Sequence, residues 1–233
     1  MNVILTRMTH DPILAIEEAA SNCYNSEPKP SGDTMKHCIK SGHTSVTEFC
    51  DFTFHIEGIS RALSHQLVRH RLASYAQRSQ RYCSEGGFKY ITPDSIKNNS
   101  NIHSAYTDMM NRINDFYESL TCLGIPNEDA RMILPNACET QIEVKMNLRT
   151  LMNFMNERLC SCAQWEIRQL AQKMRLAVIA QVPELAPYLV PKCEKYGNQY
   201  GFCTESKKRT CNRHPRLEDV FEDYANYKDM CNS

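Results

Sequence analysis

The residues best equipped for chemistry lie in one stretch, Arg69-His70-Arg71-Leu72-Ala73-Ser74-Tyr75-Ala76-Gln77-Arg78-Ser79-Gln80-Arg81. From Arg61 to Arg81 the chain carries five arginines, two histidines and no acidic residue, although its 27 basic and 27 acidic side chains cancel over the whole length. Cations so crowded repel one another unless an anion lies among them, and the planar guanidinium matches phosphate or carboxylate better than an ammonium does. The plain alternative is a solvated basic face. Against it, every cation in the run is Arg or His, and Ser, Gln and Tyr donors are interleaved with them. Arg131 is a second candidate. It sits among Ala130, Met132, Ile133 and Leu134, and an arginine in apolar company needs an anionic partner, which can be a ligand.

The elements that must position these residues follow from periodicity. Val3 to Leu5 reads as a short strand, and Asp11-Pro12 opens a helix broken between Ser26 and Gly32. A second helix from Thr34 to Ser41 ends at Gly42 and leaves His43 and Ser45 on a loop. Phe52, Phe54 and Ile56 alternate with Thr53, His55 and Glu57, the pattern of a half-buried antiparallel strand. Ser60 then caps a helix bearing Ile59, Ala62, Leu63, Leu67 and Val68, which delivers Arg69 into a polar, glycine-free connection. Phe88 to Ile91 reads as another strand. Ile102 to Leu123 is a long amphipathic helix ended by Gly124, and its Met and aromatic stripe reads as core. A short helix after Pro126 carries Arg131. Gln141 to Met146 alternates again and leads into a helix from Leu148, on which Arg149 and Asn153 share a face while Arg158 lies well round from it. Ala163 to Gln181 forms the last long helix. Strands mixed with long helices, with no βαβ alternation, give an α+β class with an antiparallel or mixed sheet. No G-x-G-x-x-G or P-loop occurs, so no Rossmann unit is expected.

Length and composition set the outer bounds. A chain of 233 residues is long for one ordinary domain and short for two, so one main domain over 1–190 with a tail over 191–233 is expected. Zero net charge argues against a general nucleic-acid binder. No run of 18 apolar residues exists, and Met1 to Arg7 is too short and polar for a signal sequence. No membrane association is expected, and the protein reads as cytoplasmic. The twelve cysteines are scattered without secretory context, which predicts reduced thiols.

Several blocks then take on meaning together. Arg69-His70-Arg71, seven residues and Ser79, closed by Gln80-Arg81-Tyr82, resembles the signature of the flavin-dependent (alternative) thymidylate synthases. Gly42 to Ser45, Asp129 to Pro135, Asn147 to Phe154 with Arg158, and Ala163 to Glu166 extend the resemblance in the family's order, over roughly residues 1 to 190. The resemblance implies FAD as cofactor, NADPH as reductant and 5,10-methylenetetrahydrofolate as carbon donor for reductive methylation of dUMP to dTMP. It gives Arg158 the catalytic role of stabilising charge at the pyrimidine's N3. Gln66, Leu67, Val68, Arg69, Gln77, Arg78, Ser79, Gln80, Arg81 and Arg131, with Arg158, match nucleotide-binding positions. Ser45, Arg69, His70, Arg71, Gln77, Asn147, Leu148, Arg149 and Asn153 match flavin-binding positions. Neighbouring subunits complete the flavin site in this family, which implies a homotetramer with shared active sites. Ala76 and Gln77 stand where the family usually has Asn and Glu, and Cys162 where a His is common. These departures bear on local flavin contacts, not on the reaction class.

Three other readings stay open on sequence alone. The same arginines could serve a nucleotide- or RNA-binding module without catalysis. Cys160 and Cys162 beside Arg158 invite a thiolate nucleophile, but a fixed arginine and a reduced flavin make one unnecessary, and neither is expected to be catalytic. In the tail, Cys193, Cys203, Cys211 and His214 have zinc-type ligands at loose spacing. A plain reduced-cysteine tail is the competing reading, and no metal site is assigned.

Overall fold

The computed structural model describes residues 1–194 and 201–221. In chain order the main elements are β1 (Asn2–Met8), α1 (Pro12–Tyr24), α2 (Asp33–Lys40), a 3-10 helix (Thr44–Phe49), β2 (Asp51–Ser60), α3 (Arg61–Leu67), β3 (Ala73–Gln77), α4 (Asp94–Lys97), α5 (Ser100–Cys122), α6 (Asn127–Ala130), β4 (Glu139–Asn147), α7 (Leu148–Arg158) and α8 (Trp165–Ile179). The four strands form an antiparallel sheet in the order β1-β2-β4-β3. The class is α+β, as periodicity predicts. No helix among the described residues is long and apolar enough to cross a membrane, and every described cysteine is a free thiol.

The chain divides into two compact units, Met1–Val3 with His55–Val144, and Ile4–Phe54 with Lys145–Ser233. In the first, Ile56, Ile59, Leu63, Leu67, Ile142 and Val144 are buried. The Ser60 hydroxyl caps α3 by accepting from the Leu63 amide at 3.0 Å, which fixes where the helix starts and hence where Arg61 and Arg69 fall. Gly58 has φ +67°, and a Cβ there would lie 2.9 Å from the Met1 nitrogen, so only glycine lets the N-terminus lie against this strand. In the second unit, Phe52 and Phe54 on β2, Leu151, Phe154 and Met155 on α7, and Ile167, Leu170 and Met174 on α8 are buried. These side chains recur at two-residue spacing on the strand and three- or four-residue spacing on the helices, which is why the sequence shows both elements.

Four expectations are corrected. The connection after Arg71 is not irregular, because Ala73–Gln77 forms edge strand β3; pairing with β4 satisfies its backbone, a long-range gain that local polarity conceals. Phe88 to Ile91 makes only an isolated bridge, Tyr90 to Cys138. Ser45 lies on a 3-10 helix, not a loop. The apolar stripe of α5 is not all core: Met110 and Tyr117 are buried, whereas Ile102, Met109 and Phe116 are exposed, as is Leu123 at the helix end.

On one sheet face His55 lies between two carboxylates, Nδ1 at 2.5 Å from Glu143 and Nε2 at 2.9 Å from Glu57. Hydrogen bonds to Glu57 and Glu143 raise the His55 pKa, and the His55 bond lowers that of Glu57. A raised imidazole pKa stabilises the fold fully below the unfolded value of about 6.5 and ceases to do so as pH rises through the folded value. A lowered Glu57 pKa acts from the other side and is lost as pH falls through the folded carboxylate value. Thermal melting should therefore decline as pH is raised from about 6.5, and His55→Gln should flatten that decline. Parallel slopes in the two proteins would show that the triad contributes nothing.

Candidate active site

The first unit builds an arginine surface from a helix end and an edge strand. After Leu67 the chain turns tightly, the Arg69 amide donating to the Gln66 carbonyl at 3.3 Å and the His70 amide to the Leu67 carbonyl at 3.2 Å. The Tyr75 hydroxyl lies 3.0 Å from the Leu67 carbonyl and 2.8 Å from that of His70, and burial pushes its pKa up to about 12. It remains a protonated donor and fastens β3 to the turn. Arg69 and Arg71 are consequently held exposed on a fixed backbone. Tyr75→Phe should cost about 1 kcal/mol of stability in urea unfolding. An unchanged value would show that backbone bonds alone hold the turn.

Farther along, the cations acquire carboxylate partners from outside the acid-free run. Arg78 Nε donates to Glu85 at 3.1 Å. Arg81 holds Glu128 with two nitrogens, at 2.9 and 3.1 Å, and its amide donates to the Ser79 hydroxyl at 3.2 Å. A phosphate reaching Arg81 must therefore share or displace Glu128. Gln77 points inward, donating to the Ser64 and Thr140 hydroxyls at 2.9 and 3.3 Å, so at this position an amide joins an internal network where the family pattern has a carboxylate. The Leu67 side chain is core, which leaves only its backbone for a ligand, whereas Gln66 is half-buried and Val68 exposed.

Beside this surface lies a pocket of about 250 Å³ lined by Arg61, His65, Gln80 and Arg131 together with Met132, Leu134, Pro135 and Asn136. It has two guanidiniums and no carboxylate. Burial, with the nearby Arg131 charge adding to it and Cys138 and Glu85 opposing it, holds the Arg61 pKa below the usual arginine value. Arg131 is fixed by its Nε donating to the Glu128 carbonyl at 3.2 Å. Arg61 and His65 are absent from the predicted site residues. The signal was available: both belong to the acid-free run, and four-residue spacing places them on one face of α3.

The second unit holds the remaining predicted residues. Asn147 caps α7, its side chain accepting from the Thr150 amide at 2.9 Å, and the Leu148 amide donates to the Cys50 carbonyl at 2.7 Å. Leu148 is core. Arg149 and Asn153 are exposed on one face of α7, as their spacing predicts, and Ser45 is exposed on the 3-10 helix. Arg149 reaches Glu48 of that same helix at 2.5 Å. Arg158 is half-buried at the last residue of α7, at the helix end and away from the Arg149 face.

With these positions established, comparison with known proteins is decisive. Residues 4–184 match the model of a family described as thymidylate synthase complementing protein. The flavin-dependent thymidylate synthase of Geobacter sulfurreducens is 39% identical over 97% of this chain and 100% of its own length. That of Nitratidesulfovibrio vulgaris is 36% identical over 94% of this chain and 97% of its own, and that of Saccharolobus solfataricus 43% identical over 82% and 70%. The chain belongs to the flavin-dependent thymidylate synthases. All the predicted site residues of this family member, from Ser45 to Arg158, fall inside the matched span. The cysteine-bearing tail lies beyond it.

Proposed function

We propose that the chain converts dUMP to dTMP, with FAD, NADPH as reductant and 5,10-methylenetetrahydrofolate as carbon donor, and that it works as a cytoplasmic homotetramer with shared active sites. The observation that carries this reading is the pocket in which Arg61 and Arg131 face one anion-sized space without a carboxylate among its lining residues. A phosphate monoester meets that need through charge-assisted, bidentate hydrogen bonds. Gln66, Arg69 and the turn around Gln77 to Arg81 then lie on the same unit to orient the rest of the nucleotide.

The residues present also suit a flavin dinucleotide. Arg69, His70 and Arg71 on the pinned turn of the first unit offer cations of the kind a pyrophosphate requires, and the second unit by itself offers Ser45, Asn147, Arg149 and Asn153, a cation with neutral donors. Flavin, when bound, supplies the reducing equivalents that complete the new methyl group. This chain's own task is to bind, orient and polarise. C5 of the uracil becomes nucleophilic only when negative charge can spread over O2, N3 and O4, and Arg158 supplies a fixed positive charge for it. No thiolate adduct is required. Burial pushes the Cys50 and Cys138 thiols up to about 12 and about 11, and the Cys162 thiol donates to the Arg209 carbonyl at 3.1 Å. The exposed apolar residues Ile102, Met109, Phe116 and Leu123 recur every seventh position, a seam that supports helix packing between subunits.

The test is spectroscopic. The purified protein should show flavin absorption that NADPH bleaches, and dTMP should form only when dUMP and methylenetetrahydrofolate are both added. A colourless protein that takes up no added FAD would end this reading.

A further inference from the structure

Outside the nucleotide and flavin residues, the second unit gathers its tail around a cavity of about 340 Å³ whose lining includes Cys160, Cys193, Cys203, Cys211 and His214. These residues are up to 54 positions apart in sequence. The Cys193 sulfur, a Glu194 oxygen and a His214 nitrogen all lie within 4.8 Å of one another, and so do ligand atoms of Cys160, Cys162 and Glu205. The Cys162 bond to the Arg209 carbonyl fastens the 160–162 turn to the tail. We propose that the tail is a structural zinc site, with Cys160, Cys193, Cys211 and His214 as the four ligands.

The choice of ligands follows from what is already satisfied. Both carboxylates of the two clusters have cationic partners: Glu194 is held by Arg213 at 2.7 Å and Glu205 by Lys192 at 2.7 Å. The thiols have only neutral partners, Cys211 bonding Ser161 and the Arg213 backbone and Cys160 bonding Cys162, so they and the imidazole are the groups a soft metal would take. His214 Nε2 is buried and makes no hydrogen bond, its nearest polar neighbour being Glu194 Oε1 at 3.7 Å, an arrangement that a ligand taking its lone pair would improve. Its ring is also closely confined, since a Cβ at Gly201 would lie 2.7 Å from Nδ1 and 2.6 Å from the Cys193 carbonyl; glycine is what permits Cys193 and His214 to meet there. Three sulfurs and one imidazole are a closed tetrahedral set for zinc. The site would carry one net negative charge, and Arg168, which lines the same cavity and donates to the Ser161 carbonyl at 2.7 Å, is placed to offset it. A metal also answers a packing question. Between residues 191 and 216 the described chain forms one 3-10 turn and one isolated bridge, and of its apolar side chains Cys203 is among the few that are buried, so a bound ion would supply the order that a core does not. Cys203 is left as a packing residue.

The full chain, purified without added chelator and dialysed under reducing conditions against Zn²⁺ and then metal-free buffer, should retain about one zinc per chain by elemental analysis. Replacement by Co²⁺ should give the visible d–d bands of a tetrahedral thiolate site. The Cys193→Ser, His214→Ala double variant should lose more than nine-tenths of the metal, His214→Cys should keep it because a thiolate replaces the imidazole, and Cys122→Ser should leave it unchanged. Flavin absorption in each variant reports whether the rest of the chain has folded. The proposal is overturned if wild-type protein retains no zinc, if it holds iron in its place, if the tail cysteines are found as disulfides, or if the double variant binds zinc as wild type does. Should the double variant fail to fold, the cobalt spectrum of wild type decides: octahedral oxygen-type bands reject the site.

Discussion

Arg158→Ala is expected to lower the kcat for dTMP formation about 100- to 1,000-fold, equivalent to roughly 3–4 kcal/mol, the usual cost of deleting one donor to a developing anion. Flavin content and NADPH oxidation should persist. The expectation rests on where the charge is placed. Arg158 ends α7, whose start is fixed by the Asn147 cap and whose buried face is fixed by Leu151, Phe154 and Met155, so the last turn has little freedom. A charge that interacts more strongly with the ionised pyrimidine than with the neutral one lowers the barrier without tightening the ground state, and the KM for dUMP should change much less than kcat. Arg158→Lys should recover only part of the rate, because an ammonium cannot reproduce the planar fork. Near wild-type turnover in Arg158→Ala, with steady-state dTMP measured by chromatography, would remove this residue from the mechanism.

Arg131→Ala should raise the KM for dUMP roughly 10- to 150-fold, since a hydrogen bond to a charged group contributes about 1.5–3 kcal/mol and each 1.4 kcal/mol is tenfold. Binding of deoxyuridine, which lacks the phosphate, should scarcely change. The contrast between the two ligands is the informative quantity. Arg61→Ala should behave in the same way, because both guanidiniums line the one carboxylate-free pocket, and the two losses should not add fully, since they share one anion. Arg81→Ala is expected to show a smaller contrast, its guanidinium being already engaged by Glu128. Calorimetric titration of each variant with dUMP and deoxyuridine measures all of this. Equal losses for both ligands would show that Arg131 is a structural arginine tied to the Glu128 carbonyl.

The sequence by itself determined the regular parts of this protein and the type of its chemistry. Strand β2 is legible because Phe52, Phe54 and Ile56 alternate. Helices α7 and α8 are legible because their buried residues recur at three and four. The start of α3 is legible because a serine stands where a cap is needed. These are local signals, carried by neighbours within one or two turns. The acid-free arginine run and Arg131 likewise announce an anion site through side-chain type alone. What tertiary structure decided was partnership across long separations. That Ala73–Gln77 is a strand depends on β4, more than sixty residues away. That Arg81 is already paired depends on Glu128, 47 residues away. That Arg61 and His65 belong to a pocket depends on α3 lying beside the turn that bears Arg131. That cysteines 160, 193 and 211 line one cavity with His214 depends on how the tail folds back. A hydrogen bond or ion pair is an interaction of two groups in space, and one chain in isolation states only what each group is able to offer.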